Sequence, residues 1–181
     1  MKGMEFSRTA RRRQRFPAAV VTVLLLTLSA CGEEEHDQDY SVPHSICGTK
    51  INAALFSPFL PPGDKLTTKS STPSPNVTKC GVSVDGKLVA QVSQEWWDSM
   101  GILEFSRGLS LDSPKRQTED GLYAYSENQA FGKTTGCDNK DHRGQVLYTA
   151  IQFPGSEHHN ADSMKKLITE YTASVQQSSS C

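Results

Sequence analysis

Apolar and polar residues alternate most regularly on both sides of the pair Asp85-Gly86. The apolar members of this alternation are Val82, Val84, Leu88, Ala90 and Val92. An Asp-Gly pair between two alternating runs is a strong signal for a two-residue β-hairpin turn. Continuing the alternation along the second strand places Trp96 on the face shared by these apolar residues and Trp97 on the opposite, polar face.

Three further segments have a clear pattern. Residues 145–153 (QVLYTAIQF) carry apolar side chains on both faces, which is typical of a central strand, and residues 121–128 predict a short strand. After Asn160, which is a preferred helix N-cap, apolar residues recur at helical spacing. These residues are Met164, Leu167, Ile168, Tyr171 and Val175. We therefore predict a C-terminal helix that packs on the sheet.

The remaining segments complete the predicted fold. Helical spacing begins at Thr49, and Pro58 is expected to end that helix early. Residues 65–79, rich in Ser, Thr and Pro, predict an exposed loop, as do residues 131–144, whereas residues 98–120 are ambiguous. The order of elements predicts an α+β fold, with a mostly antiparallel sheet and an N-terminal and a C-terminal helix packed on it.

The first thirty residues differ in kind from the rest. Basic side chains precede an apolar run over residues 16–28, and this run of thirteen residues is shorter than the roughly 20 that a membrane-spanning helix needs. A basic start followed by a short apolar run is typical of an export signal, although a membrane-anchoring helix is the alternative interpretation. We predict a signal peptide over 1–30, an acidic flexible tether over 31–45 and a single domain over 46–181.

Removal of the leader changes the charge of the protein. The whole chain has 19 Lys and Arg against 20 Asp and Glu, and residues 1–30 hold six of the basic and one of the acidic residues. Residues 31–181 therefore carry 13 basic and 19 acidic side chains, a formal net charge of −6. An acidic chain without a basic stripe argues against a nucleic-acid partner.

The sequence Leu28-Ser29-Ala30-Cys31, at the end of the apolar run, resembles the lipobox of bacterial lipoproteins. In that family the Cys thiol receives a diacylglycerol, the signal is cut before it, and the acyl chains hold the protein to a membrane. The resemblance implies a lipid on Cys31 and a location on the extracytoplasmic face of the cell membrane. Ordinary secretion, with Cys31 as a structural cysteine, is the alternative.

Four cysteines remain in the predicted domain: Cys47, Cys80, Cys137 and Cys181. Outside the cytoplasm an even number indicates disulfides, and three pairings are open. We favour Cys47–Cys80 with Cys137–Cys181, because each bond then ties a helix-like segment to a strand-like one. A zinc site is disfavoured, since no two of the four lie at the spacing of a CxxC motif.

The tightest cluster of metal-capable side chains is His158-His159. Adjacent histidines on a loop converge on one ion only with help from the backbone, so a solvated loop is the favoured interpretation, and we predict no metal and no cofactor. A second polar group comprises Asp138, Asp141 and His142. It lacks the alternating oxygen ligands and the closing Glu of a calcium loop.

Trp97 is the candidate ligand contact, because an exposed indole on a polar strand face can stack on a ligand or partner. The alternative is that residues 98–120 cover it. Glu95, on the same face, is expected to be an exposed carboxylate. No nucleophile motif is present, so no catalytic residue is predicted.

A wider resemblance covers residues 44–181. It rests on Cys47-Gly48 opening a helix, Pro61-Pro62-Gly63, Cys80 leading into the 82–86 turn, and a closing helix that ends in a terminal cysteine. This arrangement resembles a group of small actinobacterial lipoproteins with two disulfides and, more loosely, lipoprotein domains of the DUF3558 kind. The resemblance implies an envelope location and a fold, and it transfers no catalytic residue.

These observations favour a membrane-anchored extracytoplasmic lipoprotein whose domain is non-catalytic and binds a protein or a small-molecule ligand at the cell envelope. The alternative hypothesis is a small envelope hydrolase or metal-dependent enzyme that uses His142, His158 or His159.

Overall fold

The computed structural model describes residues 38–181. The predicted signal peptide over 1–30, the predicted lipid site at Cys31 and the first part of the predicted tether lie outside the described residues. Within the described range, no helix has the length and apolar character needed to cross a membrane.

Two antiparallel sheets make up the strand content of the described range. A small hairpin is formed by β1 (Ser45–Ile46) and β2 (Thr49–Lys50). The main sheet has seven strands: β3 (Leu66–Ser74), β4 (Val77–Val84), β5 (Lys87–Asp98), β6 (Arg116–Gln117), β7 (Tyr123–Tyr125), β8 (Gln129–Lys133) and β9 (Gln145–Gln152). Their spatial order is β3-β4-β5-β9-β8-β7-β6, and every pairing is antiparallel.

Three α-helices accompany the sheets: α1 (Ala53–Phe56), α2 (Ile102–Arg107) and α3 (Ala161–Gln176). Short 3-10 turns follow α1 at Ser57–Phe59 and precede β9 at Lys140–His142. A mostly antiparallel sheet with a few helices confirms the predicted α+β class.

The β4–β5 hairpin forms at the predicted turn. Asp85 and Gly86 have φ values of +50° and +79°, the left-handed conformation that a two-residue hairpin turn requires. The register then passes from Val82–Ala90 to Ser83–Leu88, so Val89 is an extra residue in β5. A bulge of this kind reverses the direction of the side chains before it. Leu88 is therefore 54% exposed, and its predicted place on the apolar face is wrong.

Strand β9 lies fourth of seven, which confirms the prediction that residues 145–153 form a central strand. Helix α3 packs against one face of the sheet and buries the larger apolar cluster there, with Leu147 and Ile151 from β9. Helix α2 covers the other face over β7 and β8, where Tyr148 and Ala150 of β9 belong to a second cluster. Both faces of this strand are thus apolar because both are covered.

The C-terminal helix begins where the sequence predicts. The Asn160 side chain accepts a hydrogen bond from the backbone N–H of Ser163 at 2.9 Å, so it caps the first turn of α3. The five residues predicted for its inner face, from Met164 to Val175, are all buried. The helix and its packing on the sheet confirm the prediction.

Several other predictions are wrong. The loop predicted over 65–79 contains β3, an edge strand whose side chains are almost all exposed and which therefore shows no apolar alternation. The loop predicted over 131–144 begins with the buried end of β8. The N-terminal helix is reduced to α1, because Thr49–Lys50 pairs as a strand and the helix starts only after the cap at Asn52.

Both favoured disulfides are present. The Cα atoms of Cys47 and Cys80 are 6.0 Å apart and those of Cys137 and Cys181 are 4.9 Å apart, within the range of bonded cysteines. The second bond joins a loop to the tail that follows α3. The first joins the turn between β1 and β2 to strand β4. The pairing is confirmed, but the argument for it is wrong at this bond, because Cys47 lies in a turn and not in a helical segment.

Gly132 of β8 lies directly beneath Thr172 of α3. A Cβ atom at this position would stand 2.6 Å from the Thr149 hydroxyl and closer still to the hydroxyl of Thr172, and these two buried hydroxyls share a hydrogen bond of 2.7 Å. Gly132→Ala is expected to lower the free energy of unfolding by about 2 kcal/mol, a typical cost of overpacking. Urea denaturation measures this loss.

The matched control is Gly108→Ala. Gly108 has a φ of −77°, and an added Cβ would make only ordinary contact, 3.7 Å from the Phe105 carbonyl oxygen. We expect the control to change stability by less than about 0.5 kcal/mol, as most surface substitutions do. Equal losses in the two variants would contradict the close approach of α3 to β8.

Candidate functional site

Trp96 and Trp97 lie near the end of β5 and point to opposite faces of the sheet, as the alternation predicts. Trp96 is 6% exposed and stacks on the ring of His142, with the ring centres 4.6 Å apart and the planes 6° apart. Trp97 is 41% exposed. The alternative prediction, that residues 98–120 cover Trp97, is wrong, because α2 in that segment packs over β7 and β8 instead.

Glu95 lies beneath Trp97 and is buried, at 3% exposure, so the expectation of an exposed carboxylate is wrong. It stands between Val77 of β4 and Tyr148 of β9, both of which are buried. Glu95 Oε2 accepts a hydrogen bond from Trp97 Nε1 at 3.0 Å. Its other oxygen, Oε1, has no hydrogen-bond partner among the described residues. A buried acceptor without a donor costs about 1–3 kcal/mol.

The turn after Trp97 is held in place by Tyr148. The Tyr148 hydroxyl accepts from the Met100 N–H and donates to the Met100 carbonyl, both at 2.8 Å. Lys133 Nζ donates to the same carbonyl at 2.9 Å and lies over the Tyr148 ring, 5.8 Å from its centre. Since the single O–H donor of Tyr148 is taken by the Met100 carbonyl, it is not available to Glu95. Trp97 therefore lies beside a turn held by hydrogen bonds, and its own indole N–H is bonded to Glu95.

The two adjacent histidines do not come together. The His158 ring meets Phe59 edge to face, with centres 4.8 Å apart. The His159 ring instead lies 3.7 Å from the Glu127 carboxylate, measured from Nδ1 to Oε2. They line different clefts on the two sides of the turn at Pro154-Gly155. The two rings therefore do not converge on one position.

His142 lies in the 3-10 turn before β9, away from both of these histidines. Its Nδ1 lies 3.1 Å from Gln145 Oε1, and its ring covers Trp96 near the end of β5, whereas the His158 cleft includes Val89 near the start of that strand. The neighbouring Asp138 and Asp141 do not form a cation site with it. Over residues 38–181, no three His, Cys, Asp or Glu side chains are grouped so that they could hold a metal ion.

The cleft at His158 was missed by sequence reasoning. It has a volume of about 500 Å³ and lies between the loop at residues 58–62 and the turn at residues 154–158. We call it the proline cleft, since Pro58, Pro61, Pro62 and Pro154 line it. Its two walls are almost a hundred residues apart in the chain, so no local pattern could have indicated it.

Comparison of the chain with models of protein families, with curated proteins and with solved structures finds no match.

Proposed function

We propose that this chain is a lipoprotein held on the extracytoplasmic face of the cell membrane by a lipid on Cys31, and that its domain is a non-catalytic binding module. The lipobox sequence 28–31 after a short apolar run supports the anchor. The resemblance to small actinobacterial lipoproteins supports the same location. The two disulfides suit a compartment outside the cytoplasm.

Trp97 is the proposed contact with the ligand, and one observation carries this proposal. The indole is fixed by its hydrogen bond to buried Glu95, yet 41% of the residue remains open to solvent. An aromatic side chain held in one orientation loses little conformational entropy on binding, so more of its contact energy appears as affinity. Aromatic residues of this kind are frequent among the residues that dominate binding interfaces.

Glu95 acts on this surface through the indole. Its Oε2 atom accepts the hydrogen bond from Trp97 Nε1, whereas its Oε1 atom is buried and out of reach of a partner at the surface. The proposed partner is therefore a protein or small molecule that presents a flat or apolar group to the indole. The Glu95→Gln variant keeps the size of the side chain and replaces the carboxylate with an amide, so it tests how much the hydrogen bond to the indole contributes to binding.

Photo-crosslinking in intact cells tests this surface. A benzophenone amino acid replaces Ser99, an exposed residue two positions from Trp97, in one variant and Leu111, which is 55% exposed, in the matched control. We expect a discrete crosslinked adduct at position 99, in several-fold excess over position 111, and its loss when Trp97→Ala is added, because contact at Trp97 is specific. Equal crosslinking at the two positions, or an adduct that survives Trp97→Ala, would show that Trp97 is simply an exposed side chain.

A further inference from the structure

The chain enters the described domain beside the proline cleft, and the first residues there are bonded to it. Gln38 pairs as a β-bridge with Gly63. Its side-chain amide donates to the carbonyl oxygens of Ser57, at 3.1 Å, and of Leu60, at 2.9 Å, and its oxygen accepts from the Ser57 hydroxyl at 2.7 Å. Three side-chain bonds therefore hold a residue that the sequence predicts to be part of a free tether.

Tyr40 extends this attachment. Its hydroxyl donates to the Pro61 carbonyl, and the N–H of Asp39 donates to the Gly63 carbonyl at 2.9 Å. Burial, and then the nearby Asp85 carboxylate, raise the pKa of Tyr40 above its ordinary value, so the phenol remains a donor even at mildly alkaline pH. We call residues 38–40 the clamp. From Gln38 onward, the segment predicted as a flexible tether over 31–45 is therefore bonded to the domain.

The clamp leaves a short connection to the lipid proposed at Cys31. Gln38 is seven Cα–Cα steps from Cys31 (38 − 31 = 7), and a fully extended chain of that length spans at most about 25 Å. The clamp lies against residues 57–63, which form one wall of the proline cleft. The inference that follows rests on the proposed lipid anchor, because the distance from the clamp to the membrane is limited only if Cys31 carries the lipid.

Trp97 lies at the other end of the domain. Val89 lines the proline cleft near the start of β5, and Trp97 comes eight residues later on the same strand, a distance of roughly 26 Å at the usual rise. The strand therefore runs from the end that holds the clamp to the end that carries the proposed contact.

We propose that the proline-cleft end of the domain rests on the lipid surface and that Trp97 is presented on the side away from it. The membrane itself contacts this face. The reason is that the short connection between Cys31 and the clamp keeps this end of the domain close to the lipid. Pro58, Pro61 and Pro62 are exposed there, and Leu88, 54% exposed, lies next to Val89 in the chain. The three prolines give the cleft itself an apolar rim for contact with lipid, and Leu88 adds an exposed apolar side chain at the same end, on the other face of the sheet.

Charge does not select this face. Asp64, Asp85 and Glu157 lie at this end together with Lys65 and Lys87, so the balance of signs offers no attraction to an anionic membrane. The limit that the tether sets on the distance to the membrane does not depend on ionic strength, whereas attraction between surface charges is screened by salt. The orientation is therefore expected to persist at high salt.

Fluorescence quenching on vesicles tests the orientation. The lipidated full-length protein is purified from membranes and reconstituted in phosphatidylcholine vesicles that contain a headgroup-nitroxide lipid. Two variants in a Trp97→Phe background carry the reporter: Leu88→Trp near the cleft, and Ser99→Trp at the far end, both at exposed positions. Trp96 is buried and contributes the same background to both. We expect strong quenching of the first reporter, and quenching of the second no greater than that of the background.

A clamp variant tests the cause. Gln38→Ala with Tyr40→Phe removes the side-chain bonds to residues 57–61, so the difference between the two reporters should shrink while the vesicles still retain the protein. Quenching at position 99 equal to or stronger than at position 88, on protein that floats with the vesicles, overturns the orientation alone. Protein that does not float with the vesicles overturns the lipid anchor, and this inference with it.

Discussion

Replacing Cys31 with alanine is expected to move the protein from the membrane fraction to the released fraction. The thiol is the proposed point of attachment for the lipid, and two or more acyl chains hold a protein firmly where one chain binds only reversibly. The other four cysteines of the chain pair within the domain, which leaves Cys31 as the fifth. Cell fractionation with labelled palmitate measures both the location and the loss of lipid.

The control for this experiment is Ser29→Ala. It changes the same motif but keeps a small residue ahead of the cysteine, so processing and lipid attachment should continue. If Cys31→Ala protein remains with the membranes and takes up as much palmitate as the wild type, the lipobox interpretation is wrong.

Removal of the Cys47–Cys80 bond is expected to have the second largest effect. The bond closes a loop with a sequence separation of 33 residues, and the chain-entropy model gives about 4 kcal/mol for a loop of this size. It ties the β1–β2 turn to β4, whose Val82 lies in the main core. The Cys47→Ala, Cys80→Ala double variant should therefore unfold at a much lower urea concentration than the wild type.

Reduction of the wild-type protein provides the control for this variant. Dithiothreitol reduces both disulfides of the wild type, so the reduced wild type should be no more stable than the double variant, which keeps Cys137–Cys181. A loss below about 1 kcal/mol in the double variant would show that the bond contributes little, against the chain-entropy expectation.

The parts of the fold that the sequence predicts are those with a local cause. Asp85-Gly86 forms its turn because both residues take a positive φ, and Asn160 begins α3 because its side chain caps the first turn. The alternation after the turn fails at Leu88, since the bulge at Val89 depends on the partner strand. No pattern within one strand specifies such an insertion.

The missed strands have causes outside their own segments. Strand β3 is exposed along nearly all its length, so its Ser and Thr residues follow no apolar period and resemble a loop. Strand β8 contains Gly132, whose missing side chain makes room for Thr172 of α3. A glycine in a strand usually weakens the strand signal, and here the close helix requires it.

The candidate site also contains features with a local sequence signal and features without one. Trp97 was identified from alternation alone, because two adjacent residues of a strand must face opposite sides. The burial of Glu95 could not be predicted, since it depends on Val77 and Tyr148 in neighbouring strands and on the indole above it. The clamp at Gln38 joins residues about twenty positions apart through side-chain bonds to backbone carbonyls, for which the sequence carries no signal.

The lipid on Cys31 is the claim on which the location of the domain depends, and the mass of the mature amino-terminal peptide tests it most directly. Protein extracted from membranes is digested, and the first peptide is analysed by mass spectrometry. We predict a peptide that begins at Cys31 and carries a diacylglyceryl group on its sulfur. A peptide with a free Cys31 thiol, or a mature terminus at another residue, would contradict the lipid anchor.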